Sequence, residues 1–141
     1  MNKTEKKDSI IMGIDYGSSF IGTALGRGEN VVTLSMISGK NAETAVAQIA
    51  REAIENKVSY FVIGLPLSAD NKETKQSLET RQFAKLLKVR TRMPVKFYNE
   101  YESTAESLKE AIELGVGKKK RRHNDSISAA LILTHYLQEL S

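Results

Sequence analysis

The chain has 141 residues, 40% apolar and 27% charged, with a net charge of +4, the size and balance expected of one core folded in water. Its apolar runs are short and none approaches the roughly 18 residues needed to span a bilayer. Because there are no cysteines, disulfides, thiolate metal sites, iron–sulfur clusters and cysteine nucleophiles are all excluded.

The N-terminal MNKTEKKD lacks the apolar core of a secretion signal, and residues 1–9 are expected to be a disordered polar terminus. Ile10 to Asp15 (IIMGID), Phe20 to Leu25 and Val31 to Ile37 are short apolar runs joined by Gly-containing turns. They read as three antiparallel strands. The period then changes. In 41–57, Ala42, Ala45, Val46, Ile49, Ala50, Ala53 and Ile54 form a helical stripe with Asn41 as N-cap. Tyr60 to Leu65 is a continuous apolar run closed by Pro66, the pattern of a strand buried on both faces.

Residues 73–90 read as a helix with Leu78, Phe83, Leu86 and Leu87 inward, and Pro94 to Tyr98 as a fifth strand whose leading proline favours a sheet edge. Ser103 and Glu106 resemble a capping box for a helix to Leu114. Asn124 can cap a last helix with Ile127, Ala130, Leu131, Thr134 and Leu137 on its apolar face. The expected fold is α/β, a five-stranded mixed sheet flanked by helices, with residues 10–141 as one domain.

Two stretches concentrate positive charge. Residues 81–96 carry Arg81, Lys85, Lys88, Arg90, Arg92 and Lys96 without an acid, and Lys118, Lys119, Lys120, Arg121 and Arg122 form an unbroken run. The other ten basic residues face all 17 acidic ones, so the rest of the chain is acidic. Five adjacent like charges repel one another unless phosphates offset them, which points to a nucleic-acid partner.

Three acids stand where an element ends or begins: Asp15 after the first strand, Glu100 after the fifth, and Asp125 at the last helix. Strand carboxyl ends are where α/β sheets leave room for ligands. Carboxylates converging there can hold one or two hard cations, and with only two histidines in the chain these would be Mg²⁺ or Mn²⁺. Asp125 could instead complement a helix dipole, and Glu100 could be a solvated loop acid. Asp15 directly follows an apolar strand and needs a partner or a metal. The turn Asp15-Tyr16-Gly17-Ser18-Ser19 could bring backbone amides to a phosphate, and Tyr16, Tyr98 and Tyr101 could stack on bases.

GIDYGSSFIGTALG at 13–26, GLPL at 64–67, NEYEST at 99–104 and NDSISAALILTHYL at 124–137 resemble, in order and spacing, the YqgF/RuvX family. That family is described as Holliday junction resolvases or as nucleases maturing the 5′ end of pre-16S rRNA. The resemblance implies a ribonuclease H-like fold with strand order 3-2-1-4-5, and metal-assisted phosphodiester hydrolysis in the cytoplasm. Asp15, Glu100 and Asp125 are then the catalytic and metal-holding residues, and Lys118 to Arg122 the nucleic-acid contact. Asn99-Glu100-Tyr101 stands where the family has Asp-Glu-Arg, and Ser19-Phe20 where it has a basic pair.

The leading expectation is a Mg²⁺- or Mn²⁺-dependent nuclease of structured nucleic acid, acting on pre-16S rRNA and so on ribosomal subunit precursors. A resolvase of branched DNA, a non-catalytic nucleic-acid-binding protein on the same fold, and a small phosphate- or nucleotide-binding domain are the alternatives. No membrane partner is expected, and the chain is expected to be a monomer or weak homodimer.

Overall fold

The computed structural model describes residues 8–99 and 124–140. In chain order the elements are β1 (Ile10–Asp15), β2 (Phe20–Arg27), β3 (Asn30–Thr33), β4 (Ile37–Ser38), α1 (Ala42–Glu55), β5 (Val58–Leu65), α2 (Lys75–Thr91), β6 (Val95–Asn99) and α3 (Asn124–Leu140). The expected helix from Ser103 lies outside the described residues, as do residues 1–7.

The strand order is β3-β2-β1-β5-β6, with β4 also paired to β2. β1 is antiparallel to β2, while β1, β5 and β6 run parallel. This is the order that the ribonuclease H-like expectation requires. β6 closes the described sheet on one side, as its leading Pro94 implies, since proline cannot donate to a further ladder.

One expectation is corrected. The strand read over 31–37 is two strands, so among the described residues the sheet has six strands and not five. Ala24 pairs Thr33 and Ile21 pairs Ile37, so Gly22 and Thr23 oppose Leu34, Ser35 and Met36. The extra residue breaks the ladder as a bulge does, and the Leu34 amide still reaches the Thr23 carbonyl at 2.9 Å.

Strand alternation divides the core into two layers. Met12, Ile14, Phe61 and Ile63 face α1 and α2, against Ile49, Phe83 and Leu87. Ile11, Ala24, Tyr60 and Val62 face α3, against Ala129, Ile132, Leu133 and Tyr136. Each large side chain fully buried in these layers contributes about 1.5–3 kcal/mol. β5 is buried along nearly its whole length, as a central parallel strand covered on both faces must be.

α1 buries most of its expected stripe, Ala45, Val46, Ile49, Ala50 and Ala53, though Ile54 is exposed, whereas α2 and α3 turn partly different faces inward than apolar periodicity predicts. Asn41 accepts from the Thr44 amide at 3.0 Å and starts α1 as expected. In α2 the buried residues are Ser77, Thr80, Phe83, Ala84 and Leu87, whereas Leu78 and Leu86, expected inside, are exposed. The small hydroxyl residues can be buried because the helix satisfies them. Ser77 Oγ donates to the Thr74 carbonyl and Thr80 Oγ1 to the Gln76 carbonyl, both at 2.9 Å.

In α3, Ser128, Ala129, Ile132, Leu133 and Tyr136 are buried, one residue out of phase with the expected face. Glycine is the reason. A Cβ on Gly13 would stand 2.9 Å from the Ala129 carbonyl oxygen, and one on Gly26 would stand 2.8 Å from Leu133 Cδ2. The two glycines let the small-residue face of α3 close onto β1 and β2. Among the described residues no helix is long and apolar enough to cross a membrane.

Candidate active site at the carboxyl edge of the sheet

β1, β5 and β6 end at the same edge of the sheet, at Asp15, Leu65 and Asn99. Asp15 is half-buried there. Ile11 packs on α3 and Gly13 lies under it, so alternation puts Asp15, two residues on, on the α3 face. Its cross-strand partner is Gly22, and continuing the β1–β5 register past Ile14 and Ile63 sets Gly64 on its other side. Both glycines are buried. Neither flank therefore puts a side chain beside the Asp15 carboxylate, giving GLPL and Gly22 a local purpose.

α3 runs antiparallel to β1 across this face. Leu137 lies nearest Gly26, Leu133 spans Gly26 and Gly13, and Ala129 lies over Gly13. Asp125 is one helical turn before Ala129, about 6 Å of rise, and Asp15 is about 6.6 Å beyond Gly13. The backbone therefore brings Asp15 and Asp125 to the same end of the molecule, on the same side of the sheet. The Asp125 side chain, Glu100 and the Lys118 to Arg122 run lie outside the described residues, as does Tyr101. β5 separates β6 from β1, so the end of β6 lies about 9.6 Å from Asp15 at sheet spacing.

The rim is tied together by hydrogen bonds. Asn99 Nδ2 donates to Asn71 Oδ1 at 2.7 Å, joining the end of β6 to the loop after β5. In that loop Thr74 Oγ1 donates to the Pro66 carbonyl at 2.9 Å, and the Ser68 hydroxyl donates to Asp70. The Asp70 carboxyl is held below the usual carboxylate range, first by Ser68 and then by its own backbone and Lys72. Thr74 and Ser77 cap α2 reciprocally, each accepting from the other's amide.

The tyrosines divide. Tyr16 lies on Phe83 with ring centroids 4.7 Å apart, and burial pushes its hydroxyl pKa up, with the Glu79 charge adding to this. Tyr98 packs with the α3 layer and donates to Glu139 at 3.4 Å. The basic stretch 81–96 also divides. Arg81 forms a two-pronged pair with Glu73 (2.6 and 3.0 Å) and sits 5.1 Å over the Phe97 ring, while Lys96 sits 5.2 Å from the Tyr60 ring. Lys85, Lys88, Arg90 and Arg92 are exposed.

A feature that the sequence alone does not show opens at the same sheet edge, on the α2 side. Tyr16, Gly17, Ser18, Ser19 and Phe20 form one wall of an open cleft of about 550 Å³, and Lys75, Gln76 and Glu79 of α2 form the other. Only contact between the β1–β2 turn and α2 creates it, and no spacing in the chain announces that contact.

Oxygen donors suit Mg²⁺ or Mn²⁺, and the half-buried Asp15 carboxylate, flanked by two glycines, is a donor of that kind. Among the described residues no group of three or more acids or histidines is gathered that could hold a metal.

Sequence comparisons with known proteins point to one family, and solved structures to one fold. The family model described as "RuvX: Holliday junction resolvase" matches residues 9–139. A "Putative pre-16S rRNA nuclease" of Pseudomonas putida is 32% identical over 136 residues, covering 92% of this chain and 94% of its own. A protein of the same name in Neisseria gonorrhoeae is 32% identical over 142 residues, covering 98% and 92%. Among solved structures, the fowlpox virus Holliday junction resolvase aligns with a TM-score of 0.55 at 16% identity, covering 94% of this chain and 99% of that one. Thermus thermophilus RuvC, solved with a Holliday junction substrate, gives 0.54 at 14% identity, covering 94% and 95%. These two likenesses establish the ribonuclease H-like fold, and the match over residues 9–139 means that the chain belongs to the RuvX family.

Proposed function

We propose that this chain is a metal-dependent nuclease hydrolysing phosphodiester bonds in structured nucleic acid, with the 5′ end of pre-16S rRNA as its substrate. The observation that carries this reading is Asp15, half-buried between two glycines at the carboxyl edge, on the face where α3 brings in Asp125. Asp15 and Asp125, joined by Glu100, would hold Mg²⁺ or Mn²⁺. Such an ion, when bound, lowers the pKa of a water and offsets charge on the leaving oxygen.

The protein's own part is positional. Gly22 and Gly64 put no side chains beside Asp15, and the sheet edge would fix the carboxylate so that little reorganisation is needed during reaction. The run from Lys118 to Arg122, directly before α3 in the sequence, would hold the nucleic-acid backbone next to the same carboxylates. The partners are then ribosomal subunit precursors in the cytoplasm. The names of the curated relatives support the RNA substrate.

The family description supports a second reading, resolution of branched DNA. The two are separated by incubating labelled pre-16S rRNA fragments and four-way DNA junctions with Mg²⁺ or Mn²⁺, using wild type and Asp15→Asn. Metal-dependent cutting of the RNA that Asp15→Asn abolishes supports rRNA maturation, whereas cutting of the junction alone supports resolution. Tight binding without cutting by either protein would overturn the nuclease and leave a non-catalytic binding protein.

A further inference from the structure

The cleft between the β1–β2 turn and α2 has the makings of a substrate subsite. Its turn wall is preformed. A Cβ on Gly17 would stand 2.6 Å from the Phe20 carbonyl oxygen, and the Gly39 amide donates to the Ser19 carbonyl at 2.9 Å. Phe20, one of the lining residues, is 47% exposed, a large apolar side chain left in water at the start of β2. Ser18 and Ser19 add exposed hydroxyls, Lys75 one cation, and Gln76 and Glu79 an amide and a carboxylate that can meet a base edge.

Charge narrows the ligand. Among the described lining residues Lys75 and Glu79 cancel, which gives no net compensation for a nucleoside triphosphate. A single phosphodiester carries one negative charge, which Lys75 can meet, and its base is neutral and can lie against Phe20. Aromatic rings accept any base face, and Glu79 can accept from exocyclic amino groups or ring N–H groups. Position narrows it further. The turn that forms its wall joins Asp15 to Phe20, two residues from Gly22, the Asp15 partner, about 6.6 Å along β2, so the cleft opens at the same sheet edge, round the corner from the Asp15 carboxylate, which lies on the α3 face.

We propose that this cleft binds one unpaired nucleotide next to the phosphodiester held at Asp15, with its base on Phe20 and its phosphate toward Lys75. The proposal rests on the nuclease reading and adds to it a requirement for single-stranded nucleic acid flanking the cut.

The test uses two RNA hairpins, one blunt and one with a five-nucleotide 5′ extension containing 2-aminopurine, whose fluorescence falls when it stacks. Ca²⁺, a hard cation that takes oxygen ligands, replaces Mg²⁺. Wild type should quench the 2-aminopurine and bind the extended hairpin about tenfold tighter than the blunt one. Phe20→Ala should lose the quench and the tenfold advantage while keeping its affinity for the blunt hairpin. Phe20→Trp should restore both, and Lys75→Ala should lower the advantage without removing the quench. If wild type binds both hairpins equally, or Phe20→Ala keeps quench and advantage, the subsite is wrong and the nuclease reading stands. If wild type binds neither RNA, the RNA nuclease reading falls and takes the subsite with it.

Discussion

Gly13 lies so close beneath Ala129 that a Cβ there would stand 2.9 Å from the Ala129 carbonyl oxygen and 3.0 Å from Leu133 Cβ. This contact sets the height of α3 above β1, and so brings Asp125 and Asp15 to one end of the molecule. A residue with no side chain thereby positions two acidic ones.

The first prediction contrasts two glycines. Gly13→Ala pushes on a helix backbone that cannot give locally, and should cost about 1–3 kcal/mol. Gly26→Ala meets Leu133 Cδ2 at 2.8 Å, the far end of a side chain that can rotate, and should cost less than about 1 kcal/mol. Urea unfolding of both variants measures the difference, and equal costs would contradict a backbone-to-sheet contact at Gly13.

Thr23 is fully buried in β2, and its hydroxyl finds no hydrogen-bond partner among the described residues. Thr23→Val keeps the shape and removes the unpaired polar atom. It should stabilise the fold by about 1 kcal/mol and raise the melting temperature by roughly 4 °C, as read by thermal unfolding.

Burial, followed by the hydrogen bond to Tyr136 at 3.1 Å, raises the Tyr60 hydroxyl pKa well above its ordinary value. The folded state therefore keeps the neutral phenol while the unfolded chain ionises above about pH 10. This contribution is complete below pH 10 and is lost as pH rises above it, by up to about 1.4 kcal/mol per pH unit. Stability measured from pH 8 to 11 should fall at the alkaline end, and less steeply in Tyr60→Phe. Tyr136→Phe should keep most of the alkaline loss, because burial is the larger cause.

Leu86 and Leu87 are adjacent in α2 but face opposite environments: Leu86 is 45% exposed and Leu87 fully buried. Leu87→Ala should cost about 2–4 kcal/mol and Leu86→Ala under about 1. Denaturant midpoints of the pair check the helix phase, and similar costs would contradict it.

That helix phase also shows where the sequence could and could not be read. The strand runs, the Asn41 cap and the edge position of the strand after Pro94 follow from local chemistry, which one residue and its neighbours express. The buried faces of α2 and α3 do not, because Ser77, Thr80, Ser128 and Ala129 are small and carry little hydropathy signal. They go inside because helix carbonyls satisfy Ser77 and Thr80, and because Gly13 and Gly26 on other strands make room for α3. The break between β3 and β4 is likewise a count of residues against the partner strand. Asp15 stood out in the sequence as an acid ending an apolar run, but the cleft beside it was invisible, since Phe20 and Lys75 meet only through the fold.

The central claim is that Asp15 and Asp125 act as one unit on a phosphodiester. Its most direct test is metal-dependent cleavage of a labelled pre-16S rRNA fragment by Asp15→Asn, Asp125→Asn and the double variant, with RNA binding followed in parallel. Each single substitution should lower the cleavage rate by about a thousandfold or more, the double variant should lose little beyond either, and all should still bind RNA. Full cleavage by either single variant, or losses that multiply in the double, would contradict a shared site.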